Sequence, residues 1–217
     1  MIIFKSNINN CTITKEDTHI KTIRPKEGDI LRLTDLKGTI ATVKIINYDF
    51  KNGIGAYIIV EQVKSEPLPG KVLIQAIIDK NYLDKLCELL PINNITHLTL
   101  VQSDYSNSTN INIDRLKLIL IRSCEQSENP YLPTIEVIDK IKLTQYLESN
   151  NIMGTVLELP TKNIKPSLTK MDTIIVGPEG GFSDSEIKFF EDKQYPFYSI
   201  KCNVLPAWLA GYSYFLQ

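Results

Sequence analysis

Apolar residues in the first third of the chain fall into short β-branched runs, at residues 30–33, 39–46 and 56–60. Turn signals separate them: Lys26-Glu27-Gly28-Asp29, Asp35-Leu36-Lys37-Gly38 and Lys51-Asn52-Gly53. Glycine beside Asn or Asp supplies the backbone freedom of tight hairpins. Short strands joined this way predict a small barrel or sandwich over residues 1–66. After Ser65-Glu66-Pro67-Leu68-Pro69-Gly70, which reads as a linker, the period changes. Residues 72–78, 95–101, 135–138, 155–159 and 173–176 read as buried strands. Between them, residues 81–90, 113–126 and 141–149 read as helices. Leu83, Leu86, Leu89 and Leu90 share one face of the first helix, and Leu116, Ile119, Leu120 and Ser123 one face of the second. Strands alternating with helices predict a parallel α/β sheet over residues 67–217.

The stretch 174–187, Ile-Ile-Val-Gly-Pro-Glu-Gly-Gly-Phe-Ser-Asp-Ser-Glu-Ile, carries the most chemistry. Ser183 and Glu186 have capping-box spacing, and Phe182 and Ile187 stand at the two positions of a hydrophobic staple, so a helix starts at Ser183. Gly177, Pro178, Glu179, Gly180 and Gly181 then form a loop between strand and helix. Two readings stand side by side. The loop is either a tight βα turn that needs glycine, or a ligand loop at the carboxyl end of a sheet. It has no Gly-Lys-Ser/Thr and no GxGxxG pattern, and Glu179 would repel a phosphate, so a neutral or cationic ligand fits better.

Composition narrows the classes. Of 217 residues 43% are hydrophobic, enough for a substantial core, and the net charge of −1 gives no global positive field. Residues 1–66 carry 10 Lys and Arg against 8 Asp and Glu, a small local excess. Arg occurs only as Arg24, Arg32, Arg115 and Arg122. Cys11, Cys87, Cys124 and Cys202 are far apart, and His19 and His97 do not cluster with them, which argues against a metal site. Scattered cysteines fit a reducing compartment. With no apolar run of membrane-spanning length and no leader pattern, the expectation is a soluble cytoplasmic chain without membrane partners.

Residues 177–183, Gly-Pro-Glu-Gly-Gly-Phe-Ser, resemble the GPEGGF/L-S signature of the RsmE family, which methylates N3 of a uridine in small-subunit (16S) ribosomal RNA and belongs to the trefoil-knot (SPOUT) methyltransferases. The resemblance extends along the chain. Residues 1–4 are similar to the family's M-x-x-F start, and residues 18–29 to its HH-x-x-x-VLR-x-x-x-GD segment. Glu125-Gln126-Ser127 with Pro133 is similar to its EQS…P element, and Leu157-Glu158-Leu159-Pro160 stands where a first cofactor-loop strand would end.

The resemblance implies a PUA-like β-barrel for RNA over residues 1–66 and a knotted α/β domain over 67–217. It implies a homodimer acting on ribosomal RNA or the small subunit, with S-adenosylmethionine bent among three loops. The cofactor residues it implies are Leu157, Glu158, Leu159, Gly177, Pro178, Glu179, Gly180, Gly181, Ile200, Val204, Leu205 and Ala210. The RNA residues are His19, Arg24, Lys26, Arg32, Glu125, Gln126 and Ser127. No metal is implied, and no catalytic residue can be named.

The chain departs from the family where polar groups matter. The third loop usually reads L-G-x-R-I-L-R-x-E-T-A, whereas residues 200–210 here read Ile-Lys-Cys-Asn-Val-Leu-Pro-Ala-Trp-Leu-Ala. Lys201, Asn203, Pro206, Trp208 and Leu209 replace Gly, Arg, Arg, Glu and Thr. An S-E-R-S-like element appears as Ser103-Asp104-Tyr105-Ser106, and Glu128-Asn129 stands where Gly-Arg is usual. Trp208 is either a stacking face or a core or interface aromatic. A uridine N3 must lose its proton, and a positioned base contributes about 10²–10⁴-fold to such a step. The chain therefore reads as an RNA methyltransferase, with a catalytically impaired relative that binds S-adenosylmethionine or RNA as the alternative.

Overall fold

The computed structural model describes residues 2–106, 110–158, 171–200 and 205–216. They divide into two compact units: residues 1–68 with 120–132, and residues 69–119 with 133–217.

The first unit is built on a five-stranded sheet in the order β1-β3-β4-β5-β2. Its strands are β1 (Ile3–Phe4), β2 (Thr12–Thr14), β3 (Ile30–Thr34), β4 (Thr39–Asp49) and β5 (Ile54–Lys64). Only β1 and β3 run parallel; the other neighbours are antiparallel. The β4–β5 hairpin is longer than its apolar runs suggest, because ladder hydrogen bonds carry it through polar residues at both ends. Asp49 closes its turn by accepting the Lys51 and Asn52 N–H groups. Alternate residues of the strands point inward, and Ile3, Ile13, Leu33, Ala41, Val43, Ile45 and Tyr57 form the core. Burial pushes the Tyr57 hydroxyl up to about 12, and it donates to the Ile8 carbonyl at 2.6 Å. Helix α1 (Ile20–Ile23) and the end of α3 (Ile113–Ser127) complete this unit.

The second unit holds a fully parallel six-stranded sheet in the order β11-β9-β10-β6-β7-β8. The strands are β6 (Lys71–Ala76), β7 (Ile95–Gln102), β8 (Thr134–Lys142), β9 (Thr155–Leu157), β10 (Thr173–Val176) and β11 (Phe197–Tyr198). Helices α2 (Lys80–Leu89), α4 (Leu143–Ser149), α5 (Asp184–Asp192) and α6 (Ala207–Leu216) follow strands, as parallel connections require. Residues 141–142, expected in a helix, belong to β8: pairing with β7 reaches Lys142, opposite Gln102, and the helix begins only at Leu143. Ile74, Val101, Val156, Ile175, Phe182, Phe190, Tyr195 and Phe197 form one core cluster. Phe190 stands at its centre, with ring centroids 5.1 Å from Phe182, 5.3 Å from Tyr195 and 6.2 Å from Phe197.

Two features place α6 against the sheet. Pro206 starts the helix, its carbonyl accepting the Leu209 and Ala210 N–H groups. Gly211 then lets the backbone approach, since a Cβ there would lie 2.8 Å from Leu73 Cδ1 and 3.4 Å from Val176 Cγ2. Tyr214 ties the helix down from inside, accepting the Met171 N–H at 2.9 Å.

Candidate functional site

The register of the second sheet aligns Gln75, Val176, Leu157 and Tyr198 across four neighbouring strands. All four strands run the same way, so the chain leaves β6, β10, β9 and β11 at one edge. The strand order also changes direction between β6 and β10, and open parallel sheets bind ligands in such a crevice. The glycine-rich loop emerges there.

The loop is set by its own residues. The capping box is present in full: Ser183 Oγ accepts the Glu186 N–H at 3.2 Å, and Glu186 Oε2 accepts the Ser183 N–H at 2.9 Å. Gly181 has φ +73°, a left-handed conformation that favours glycine, and its N–H donates to the Pro178 carbonyl at 2.9 Å. Gly177 and Pro178 are buried, whereas Glu179 and Gly180 are exposed. Glu179 Oε1 accepts the Asp79 N–H at 3.1 Å, holding the loop to the start of α2.

Beneath the loop lies Gln75, fully buried near the end of β6 after the apolar residues Val72, Leu73 and Ile74. Its Nε2 donates to the Gly177 carbonyl at 2.9 Å and to the Ala76 carbonyl at 3.1 Å. Three carbonyls around Nε2 fix which amide atom is which, and Oε1 has no hydrogen-bond partner among the described residues. The sequence signal for Gln75 is a lone carboxamide inside a buried strand, where an unpaired polar atom costs about 1–3 kcal/mol.

Beside the loop, Glu186 does more than cap its helix. Its Oε1 accepts from Ser103 Oγ at 2.8 Å and from the Asp104 N–H at 3.1 Å. Asp104 in turn accepts from Ser183 Oγ at 2.6 Å and Ser185 Oγ at 3.2 Å, and its Oδ1 lies 3.4 Å from Lys142 Nζ. Hydrogen bonding from Ser183 foremost, opposed by burial and reinforced by Ser185 and Lys142, holds the Asp104 carboxyl below its ordinary value of 3.8. The segment after β7 is thus clamped to the N-terminus of α5.

Of the residues expected at the cofactor loops, Leu157 is nearly buried at the end of β9, and the N–H of the following Glu158 donates to the Tyr198 carbonyl at 3.1 Å. Ile200 is half-buried beyond β11, Leu205 is half-buried ahead of α6, and Ala210 lies within α6 rather than in a loop. Leu159 and Val204 lie outside the described residues, as do Lys201, Cys202 and Asn203. Trp208 is half-buried, its ring parallel to that of Tyr82 with centroids 6.4 Å apart, and Lys85 Nζ sits 5.4 Å from both.

The residues expected to meet RNA all fall in the first unit. Arg24, Lys26 and Gln126 are exposed, and Arg32 is exposed and ion-paired with Glu128. Ser127 Oγ donates to the Ser123 carbonyl at 2.7 Å. Glu125 departs from the expectation of an RNA-facing carboxylate, because it is fully buried. Its Oε1 accepts the Phe4 N–H at 2.7 Å and the Thr18 hydroxyl, and its Oε2 lies 3.2 Å from His19 Nε2. It anchors β1 and orients the exposed His19 rather than presenting itself to solvent.

Other chemistry is sparse. Burial pushes the Cys87 and Cys124 thiols up to about 12, which leaves them poor nucleophiles. Among the described residues no group of His, Cys, Asp and Glu is arranged to hold a metal ion, and no helix is long and apolar enough to cross a membrane.

Comparison with known proteins assigns the family. Residues 64–211 match the model of the RNA methyltransferase domain. Ribosomal RNA small subunit methyltransferase E of Rickettsia conorii is 32% identical over 204 residues, covering 87% of this chain and 80% of that protein. Its namesake from Helicobacter pylori is 28% identical over 128 residues, covering 56% of this chain, and the chain spans only 54% of that relative's length. Among solved structures, a probable rRNA-methyltransferase from Porphyromonas gingivalis superposes with a TM-score of 0.78 at 20% identity, covering 98% of this chain and 94% of that one. A ribosomal RNA small subunit methyltransferase E from Neisseria gonorrhoeae, bound to S-adenosyl methionine, gives 0.72 at 18% identity, with 91% and 85% covered. With a domain model spanning most of its length and a relative matched nearly end to end, the chain belongs to the ribosomal RNA small subunit methyltransferase E family of RNA methyltransferase domains.

Proposed function

We propose that the protein transfers a methyl group from S-adenosylmethionine to N3 of a uridine in small-subunit ribosomal RNA. The observation that carries this reading is the row Gln75–Val176–Leu157–Tyr198, from which the glycine-rich loop and its neighbours leave one edge of a parallel sheet. The residues fit a neutral-to-cationic, partly apolar cofactor. Leu157, Ile200, Leu205 and Ala210 supply apolar wall, the loop 177–181 supplies backbone groups, and Gln75 offers an unpartnered buried acceptor below it. Glu179 borders the loop with negative charge, the Asp104 carboxylate being paired with Lys142, and this favours a sulfonium over a phosphate. When bound, the cofactor supplies an electrophilic methyl group.

The chain's own part is to orient and to manage one proton. Holding the two reactants in one geometry can supply several kcal/mol of the barrier, about 7–11 at best. Uridine N3 must shed its proton; Asp104 is committed to Ser183, Ser185 and Lys142, and Glu179, which accepts the Asp79 N–H through Oε1 alone, is the exposed carboxylate of the loop that would receive it.

In the same reading residues 1–66 form a PUA-like barrel that holds RNA through Arg24, Lys26, Arg32 and His19, and residues 67–217 carry the trefoil knot. The protein works in the cytoplasm as a homodimer. Helix α6 supports the last point: it is apolar on nearly every face, yet Ala207, Trp208, Leu209, Ala210, Tyr212 and Phe215 stay half-exposed, as a surface awaiting a second copy would.

The test is mass spectrometry of small-subunit rRNA nucleosides from a strain lacking the gene. Loss of 3-methyluridine supports the reading, and an unchanged level refutes the target. A second reading, a relative that binds S-adenosylmethionine or RNA without transfer, is favoured by one observation: Trp208, in place of the family's Glu, packs on Tyr82 and Lys85. Calorimetry with the cofactor followed by a transfer assay on small subunits separates the two.

A further inference from the structure

Tyr105 is an exposed aromatic held on a rigid support beside the glycine-rich loop. Its side chain leans over Gly180: a Cβ at Gly180 would lie 3.3 Å from Tyr105 Cβ and 3.7 Å from its Cγ and Cδ2. The residue is nevertheless 56% exposed. Large aromatics left in water usually lack fixed surroundings, but the backbone here is fastened on both sides. Ser103 Oγ and the Asp104 N–H donate to Glu186, the Asp104 side chain accepts from Ser183 and Ser185, and Ser106 Oγ accepts the Ser103 N–H at 3.0 Å. Immobilising the backbone in advance lowers the entropy lost when a partner binds.

The surrounding charge selects the partner. Asp104 precedes Tyr105, and Glu179 precedes the glycine it covers. Glu179 is held at the start of α2 and Asp104 is paired with Lys142, so the surroundings carry no net positive charge to draw a phosphate, and the group that can settle on the ring is a flat uncharged one whose backbone charge is kept at a distance. An unpaired nucleobase turned out of its strand meets that description, and base stacking on an aromatic ring is a common means of holding one. The exposed position of the ring favours a macromolecular ligand over a buried small cofactor.

We infer that Tyr105 is the stacking platform for an unpaired RNA base, held at the rim of the glycine-rich loop by the Asp104–Ser183–Glu186 clamp. The inference rests on the methyltransferase reading above and adds to it a residue that positions the substrate.

The experiment compares wild type, Tyr105→Ala and Tyr105→Phe in two assays: calorimetric titration with S-adenosylmethionine, and steady-state methylation of small ribosomal subunits that lack the modification. Tyr105→Ala should raise KM for the subunit roughly 5- to 100-fold, in line with the loss of one stacked base. Its affinity for S-adenosylmethionine should stay within about two-fold of wild type, and Tyr105→Phe, which keeps the ring, should restore KM. A KM unchanged in Tyr105→Ala overturns the inference, and so does a parallel loss of cofactor affinity, which would give the ring to the adenine instead. Failure of the underlying reading looks different: wild type itself would not label the subunit, whether or not it binds the cofactor, and both proposals would fall together.

Discussion

Replacing Glu186 is the sharpest perturbation of the site short of touching the glycine loop. The residue is 3% exposed, and its carboxylate receives three donors: the Ser183 N–H at 2.9 Å, Ser103 Oγ at 2.8 Å and the Asp104 N–H at 3.1 Å. In Glu186→Ala the capping half is lost, at about 1 kcal/mol. The buried Ser103 hydroxyl and the Asp104 N–H lose their acceptor as well, at about 1–3 kcal/mol each. Release of a desolvated carboxylate offsets part of this, so the net cost should be about 3–5 kcal/mol. In Glu186→Gln the amide oxygen can still serve Ser103 and Asp104, while the amide N–H₂ confronts the Ser183 N–H. That variant should lose only about 1–2 kcal/mol. Urea unfolding followed by fluorescence of Trp208, which the same unit contains, measures both. Near-wild-type stability of Glu186→Ala, or equal losses in the two variants, would refute the idea that one carboxylate joins helix cap and loop.

Three further outcomes are expected. Phe190→Ala should destabilise the second unit by about 3–5 kcal/mol by emptying the centre of its aromatic cluster, a loss readable as a lower urea midpoint. Gln75→Leu removes the donor that holds the Gly177 carbonyl, so S-adenosylmethionine affinity by calorimetry should fall about ten-fold or more, the equivalent of one buried hydrogen bond; unchanged affinity would contradict the role given to Gln75. Asp104 has its pKa lowered by folding, so its contribution to stability is full above the ordinary value of 3.8 and disappears as pH falls through the lower folded value. Asp104→Asn should therefore reduce stability at neutral pH and flatten the acid limb below about pH 4, as read from urea midpoints across pH.

The sequence carried the parts of the fold that local rules govern. The capping box at Ser183 and Glu186 has one physical meaning wherever it occurs, and the helix begins there. The short apolar runs of β6 and β10 are buried on both faces over most of their length, and composition marks them as parallel strands. Strands β1, β2 and β11, two or three residues each, are too short for any period to register and exist only through their neighbours. Helix α6 escaped because it is apolar nearly all round and so has no amphipathic stripe to detect. The site divides the same way. Its glycine loop is legible because Gly181 takes a positive φ and the capping box fixes where the helix after it begins. The roles of Gln75 and Asp104 are not legible in the sequence, since they depend on pairings with Gly177 and Ser183, 102 and 79 positions away. Glu125 shows the converse: a motif match placed it among RNA contacts, and burial turned it inward.

The most direct test of the central claim is methyl transfer itself. Purified protein is incubated with S-adenosylmethionine carrying a labelled methyl group and with small ribosomal subunits lacking the modification, and the RNA is digested to nucleosides. The expected result is label in 3-methyluridine at close to one per subunit. Cofactor bound with no label in any nucleoside would contradict the account and leave a binding protein in place of an enzyme.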